Sequence, residues 1–267
     1  MSETQIFGSS MLVHDDCLHA MGSIPAKSIN MVLCDLPYGV LNKANKNARW
    51  DVVIPFQELW THYRRVCKDR AAIILFASGM FTADMMESNK SWWRYNLIWD
   101  KINPTAFLNC NRMPLRSHED ICVFYKKLPV YHPQMEVYEG KRHGKGSKWL
   151  SQDKDSGSNC YGSYSQLPTI MRTERYPVSI IRVKRKHDIS HHYHPTEKPV
   201  ELLRWLIKTY TNPGDVVLDN TMGSGSTCFA ALLEDRRFIG IEKEKQYYDI
   251  AVKRLQSAVS DKELKND

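Results

Sequence analysis

The chain has 267 residues, 42% apolar and 25% charged, which excludes a disordered or fibrous protein and suits one large α/β domain with room for an insertion. No apolar run reaches membrane length, no basic-flanked apolar leader opens the chain, and the seven scattered cysteines never form CxxC. A membrane anchor, a disulfide framework and a zinc knuckle are therefore not expected, and a soluble protein of the reducing cytoplasm is. The net charge of +7 is confined to one region: residues 126–194 hold 13 Lys and Arg against 6 Asp and Glu, and the rest holds 24 against 24. A basic segment on a neutral scaffold reads either as a surface facing a polyanion or as a solvated loop.

Taken in order, Met11-Leu12-Val13 reads as a short strand followed by His14-Asp15-Asp16-Cys17. Two acids after a strand mark a sheet-edge site or the N-cap of a short helix over 17–24. Met31-Val32-Leu33 is a buried strand that runs into Cys34-Asp35-Leu36-Pro37-Tyr38-Gly39. It delivers an acid and an aromatic ring to one sheet edge, and ligands of open α/β sheets bind outside the carboxyl ends of the strands. Residues 40–51 are polar, basic and Asn-rich, a loop beside that edge. Phe56, Leu59, Trp60, Tyr63, Val66 and Cys67 keep helical spacing, and the continuous apolar run Ala71–Phe76 predicts a buried parallel strand. A helix over 81–86 and strands over 95–99 and 121–125 follow. The stretch between those strands, with Asn103, Asn109, Asn111 and Arg112, reads as a loop that either touches nucleic acid or simply connects.

From Lys126 to His194 the hydrophobic periodicity nearly vanishes until a strand over 177–183, so 126–194 is expected to be an insertion or subdomain. His191, His192 and His194 cluster there, but no fourth ligand accompanies them and no metal is assigned. Pro199 then opens a helix that Thr196 is placed to cap, with Val200, Leu203, Leu206, Ile207 and Tyr210 on one face. Val216–Asp219 is a strand, Met222–Thr227 a Gly-rich turn, 228–233 a helix and Phe238–Glu242 the next strand. This is a βαβ nucleotide-binding unit: the glycines permit close backbone approach, the helix N-terminus favours an anion, and Glu242 can accept from ribose hydroxyls. Cys228 stands at the third glycine of GxGxxG, which disfavours NAD. A last helix carries Tyr248, Ala251, Val252 and Leu255 on one face.

Asp-Leu-Pro-Tyr at 35–38, His-Pro-Thr-Glu-Lys-Pro at 194–199 and Asp-Asn-Thr-Met-Gly-Ser-Gly-Ser at 219–226 together resemble the β-group amino-methyltransferases. These use S-adenosyl-L-methionine (AdoMet) to methylate the exocyclic amine of adenine or cytosine in DNA. The resemblance runs from about Asp16 to Leu255, apart from the basic segment. It implies a Rossmann-like methyltransferase sheet with helices on both faces, built from 1–125 and 195–267, with a target-recognition region inserted at 126–194. It implies that Asp219, Asn220, Thr221, Met222, Gly223, Ser224, Gly225, Ser226 and Glu242 bind AdoMet, Glu242 through the ribose. Asp16 and Cys17 would then lie near the cofactor's adenine, and Thr196 and Lys198 near its methionine end. Asp35, Leu36, Pro37 and Tyr38 would hold the target base, with Asp35 also beside the cofactor.

Two positions depart from the family pattern: Leu36 replaces a proline, where only the backbone carbonyl is needed, and Thr221 replaces a phenylalanine, which removes a ring contact with the cofactor. Asp at position 35, rather than Ser, favours adenine-N6 over cytosine-N4; an RNA or protein amino-methyltransferase is the further alternative. Lys43, Arg49, Lys141, Arg142, Lys145, Lys184, Arg185 and Lys186 are the expected DNA contacts. Double-stranded DNA is the expected partner, with a second copy of the chain and a cognate restriction enzyme as further ones.

Overall fold

The computed structural model of the protein describes residues 3–44, 50–137, 174–185 and 197–263. The side chain of Lys43 and residues Arg49, Lys141, Arg142, Lys145, Lys186, His191, His192, His194 and Thr196 lie outside the described residues. One mixed sheet runs in the spatial order β1 (Glu3–Phe7), β2 (Ser10–His14), β11 (Arg237–Glu242), β10 (Val216–Asp219), β3 (Ile29–Asp35), β4 (Cys67–Ala77), β6 (Arg116–Phe124), β5 (Trp93–Thr105) and β9 (Ile180–Arg182). The five strands from β2 to β4 are mutually parallel; β1 is antiparallel to β2, and β6 is antiparallel to both β4 and β5. The two ends of the chain thus meet at the centre of the sheet, where β10 lies beside β3 with Val217 opposite Met31.

Alternation along the central strands builds two cores. Met31, Leu33, Ala72, Ile74 and Phe76 point to the face covered by α5 (Val200–Tyr210), α6 (Ser226–Leu233) and α7 (Lys245–Glu263). Val32, Cys34, Ile73 and Leu75 point to the face covered by α1 (Cys17–Gly22), α3 (Phe56–Val66) and α4 (Met80–Ser88). A strand buried on both faces must be apolar throughout, which is why 31–34 and 71–76 read as continuous runs. The helix after Pro199 starts at Val200, with Pro199 itself at the N-cap and no side-chain cap. The short helix Leu41–Ala44, α2, opens the loop after Gly39.

Gly240 shows how tightly the sheet meets α6. A Cβ there would lie 2.4 Å from Met222 Sδ, 2.7 Å from Cys228 Sγ and 2.8 Å from Leu12 Cδ2. Gly240→Ala is expected to cost about 1–3 kcal/mol through overpacking, read as a lower urea midpoint at unchanged slope.

Contacts divide the chain into 1–132 with 178–267, and 133–177. The smaller of these units lies within the expected insertion at 126–194. Strand β9 pairs in parallel with β5, Ile181 opposite Trp99, and Trp99 donates its indole N–H to the Val183 carbonyl at 2.8 Å, so 178–185 belongs to the main sheet. Within the smaller unit, β7 (Glu136–Val137) and β8 (Glu174–Arg175) form an antiparallel ribbon, with Arg175 2.7 Å from Glu136. Among the described residues no helix is long and apolar enough to cross a membrane, and the six described cysteines are free.

Candidate active site

Because β2, β11, β10, β3 and β4 run the same way, their carboxyl ends share one edge, and Asp35, Asp219 and Glu242 close three adjacent strands there. The chain leaves β3 toward β4 and leaves β10 toward β11, on opposite sides, so the β3/β10 boundary is the switch point where such sheets open a crevice. A cavity of about 650 Å³ occupies this position, lined among others by Asp16, Asp35, Tyr38, Lys198, Asp219 and Glu242. The two stretches are joined directly: the Thr221 hydroxyl donates to the Asp35 carbonyl at 3.1 Å. The residue that lacks the family's ring instead ties one half of the site to the other.

On the β10–β11 side, Glu242 accepts from the backbone N–H of Gly223 and of Glu244, both at 2.8 Å. Asp219 accepts from Thr221 N–H at 3.1 Å. Gly223 and Gly225 both adopt left-handed φ (51° and 76°), as the tight turn into α6 requires. A Cβ on Gly225 would also come within 2.9 Å of Ala251. Arg254 braces this turn through Glu197 at 2.7 Å and Ser226 at 3.1 Å. Burial pushes the Asp219 carboxyl up to about 6 and that of Glu242 up to about 7. Asp16 caps α1 through Leu18 N–H at 3.0 Å, and its second oxygen lies 3.3 Å from Lys243. Burial raises the Cys17 thiol to about 11, which keeps it neutral. Two carboxylates, a glycine turn and a helix N-terminus around one cavity make a donor and acceptor set that fits a nucleoside carrying a polar tail.

On the β3 side, Asp35 accepts from the Tyr38 hydroxyl at 2.8 Å and is hydrogen-bonded to Lys198. The Tyr38 ring stacks on Phe81 at 4.7 Å. The following turn is shaped by buried Asp51, which accepts from the N–H groups of Gly39 (3.0 Å), Val40 (2.8 Å) and Leu41 (2.6 Å). Lys198 is itself buried, lies 5.0 Å from the Phe76 ring centre, and pairs with Glu119 at 3.4 Å; Glu119 pairs in turn with Lys101 at 3.1 Å. Burial alone would lower the Lys198 ammonium, but Asp35 and Glu119 hold it above its ordinary value. Burial would likewise raise Glu119, yet Lys198 and Lys101 hold it below. The result is a balanced cluster of two carboxylates and two ammonium groups. Lys198 is the member that contacts both carboxylates, so Lys198→Met is expected to cost about 3–5 kcal/mol by urea unfolding, and a loss near that of an exposed pair would show that water screens the cluster.

Glu119 and Lys101 escaped sequence reading because both sit in strands whose direction only the sheet reveals. The antiparallel turn of β6 brings its first residues, and hence Glu119, to the edge where β4 ends, with Asp120 opposite Ala77. Of the expected DNA contacts that are described, Arg185 lines the cavity and Lys184 is exposed.

A Rossmann-like sheet with a glycine turn and two terminal acids beside an Asp-Leu-Pro-Tyr edge defines the class of amino-methyltransferases. The sequence matches the N6/N4 DNA methylase family over residues 29–253, and the chain belongs to that family. It is 27% identical to Type II methyltransferase M.HinfI of Haemophilus influenzae over 91% of this chain and 67% of that protein. It is 28% identical to Type II methyltransferase M2.DpnII of Streptococcus pneumoniae over 92% and 90%. In fold it is similar to the M1.HpyAVI–SAM complex (TM-score 0.59, 22% identity, 91% and 98% covered). It is also similar to the cytosine-N4-specific PvuII DNA methyltransferase (TM-score 0.62, 15% identity, 92% and 86% covered).

Proposed function

We propose that the protein is a site-specific DNA methyltransferase that moves the methyl group of AdoMet to the exocyclic N6 of adenine in a flipped-out base. The observation that carries this is one cavity in which Asp35 and Tyr38 face the Asp219–Glu242 half of the site. Asp219 to Ser226 and Glu242 hold the cofactor, Glu242 by accepting from the ribose hydroxyls, with Asp16 and Cys17 toward its adenine and Lys198 toward the reacting end. Bound AdoMet supplies an electrophilic methyl group. An exocyclic amine is a weak nucleophile because its lone pair is delocalised into the ring; Asp35 and the Leu36 carbonyl each accept one N–H, which turns the lone pair toward that methyl group. Tyr38 stacks on the base, a contact worth roughly 1–3 kcal/mol. Lys198 keeps the partly buried Asp35 compensated until the amine arrives.

Asp rather than Ser at position 35 supports adenine over cytosine. The unit at 133–177 and the loop at 40–51 are the parts left to read the DNA sequence. The Type II names of both curated relatives support a modification role beside a restriction enzyme. The test is labelled AdoMet with purified protein, unmethylated genomic DNA and bulk RNA in parallel, followed by nucleoside analysis. Label in N6-methyladenosine from DNA alone is the expected result; N4-methylcytosine would overturn the base, and label in RNA alone the substrate.

A further inference from the structure

The connection between β5 and β6 has a shape and composition that the reaction described so far does not use. Phe107 is 74% exposed and Leu108 97% exposed, on a turn over Phe107–Asn109. Large apolar side chains held this far into water are unusual for a tip that nothing covers. The tip is nevertheless ordered by its own backbone: the N–H groups of Asn109, Cys110, Arg112 and Met113 donate to carbonyls of Ala106, Phe107, Asn109 and Asn109, at 2.8–3.0 Å. It also holds strain. Ile102 and Ala106 have φ of 64° and 68°, a region costly for residues with a Cβ and most of all for a β-branched one. Backbone strain of this kind clusters at functional sites, and an observed outlier motivates a functional hypothesis.

Position and charge say what it meets. The neck residues Thr105 and Arg116 are register partners, and both line the active-site cavity, so the tip rises from the cavity's rim. The neck is wired to the catalytic acid: the Thr105 hydroxyl donates to the Arg116 carbonyl (3.2 Å), Lys101 bonds Thr105 (3.4 Å) and Glu119, and Glu119 pairs with Lys198 on Asp35. From 102 to 118 there is no acidic residue, while the exposed Arg112 and Arg116 are basic and Asn103, Asn109 and Asn111 are polar. An apolar point in a basic, amide-rich collar matches stacked bases bordered by phosphates; a partner protein surface has no need of that collar.

We propose that Phe107 and Leu108 form a wedge that enters the DNA duplex beside the target base and fills the space the base leaves when it swings into the cavity. This rests on the DNA-methyltransferase reading above and names the element that opens the duplex. The wedge offsets lost stacking with apolar contact, and the wired neck keeps its distance to Asp35 constant.

The methylated site is first mapped on genomic DNA treated with wild-type protein. Short duplexes carrying it are then made in two forms, one fully paired and one with an abasic position opposite the target. For Phe107→Ala/Leu108→Ala, kcat/KM on the paired duplex is expected to fall by about 10- to 100-fold, and most of that loss to vanish on the abasic duplex, where little stacking and no pairing need be broken. AdoMet affinity stays unchanged, and Phe107→Trp retains activity. Equal loss on both duplexes, or none on either, would overturn the wedge alone. So would a change in oligomeric state on sedimentation that accounts for the loss, since the tip would then be covered by a second copy. A wild-type protein inert on every DNA tested would overturn the parent reading and the wedge with it.

Discussion

Asp35→Ala is expected to lower kcat for methyl transfer by about 100- to 1,000-fold, the range seen when one preorganised electrostatic partner is removed from a reacting centre. Under the proposed mechanism the loss falls on kcat, since Asp35 would act on the amine in the transition state while the cofactor would be held chiefly from the neighbouring strands. The fold should survive. Lys198, released from Asp35, still has Glu119 within 3.4 Å, and Thr221 bonds only the main-chain carbonyl of residue 35, which alanine keeps. Single-turnover methylation with calorimetric AdoMet titration separates these effects. An alanine variant methylating at the wild-type rate would remove Asp35 from the reaction.

Glu242→Ala should act on the other half of the site. The carboxylate is aimed by two backbone N–H groups and has lone pairs to spare for two ribose hydroxyls. Hydrogen bonds to a charged group contribute about 1.5–3 kcal/mol each, so losing two should raise AdoMet Kd about 100- to 10,000-fold with little change in kcat at saturation. The raised pKa adds a signature. Glu242 sits at about 7 against an ordinary 4.5, so the carboxylate is progressively protonated, and AdoMet affinity falls, as pH drops from about 8 to 6. Stability moves the other way. Between the unfolded and folded values the native chain binds the extra proton, so the cofactor-free protein gains stability on acidification toward about 5, and Asp219, at about 6, adds to the same trend. Calorimetry and thermal unfolding at pH 6 and 8 should therefore diverge in wild type. In Glu242→Ala the affinity should lose its share of the pH dependence; an unchanged profile would place the ribose elsewhere.

Much of this site was legible because it depends on local chemistry. The runs 31–35, 216–219 and 238–242 are apolar through to a terminal acid, and a strand buried on both faces can be nothing else. Asp16 as a helix cap and the glycine turn at 223–225 follow from short-range hydrogen bonding and left-handed φ. The bond that Thr221 makes in addition had no signal in the sequence, since its partner carbonyl lies 186 positions away. The strand over 177–183 was legible, but its place was not: that it pairs with β5, with Ile181 and Val183 buried, depends on a partner about 80 positions away in the chain.

The sequence by itself determined the two motif-bearing halves, their order, the acids at their strand ends and the basic excess between them, since each is set by residues near in the chain. The tertiary structure alone decided that β10 lies against β3, that β6 runs backward, and so that Asp35, Lys198, Glu119 and Lys101 form one buried cluster. A charge cluster of that kind has no local signal. Each member reads as an ordinary polar residue until sheet register brings its opposite charge within 4 Å and burial removes the water that would screen it.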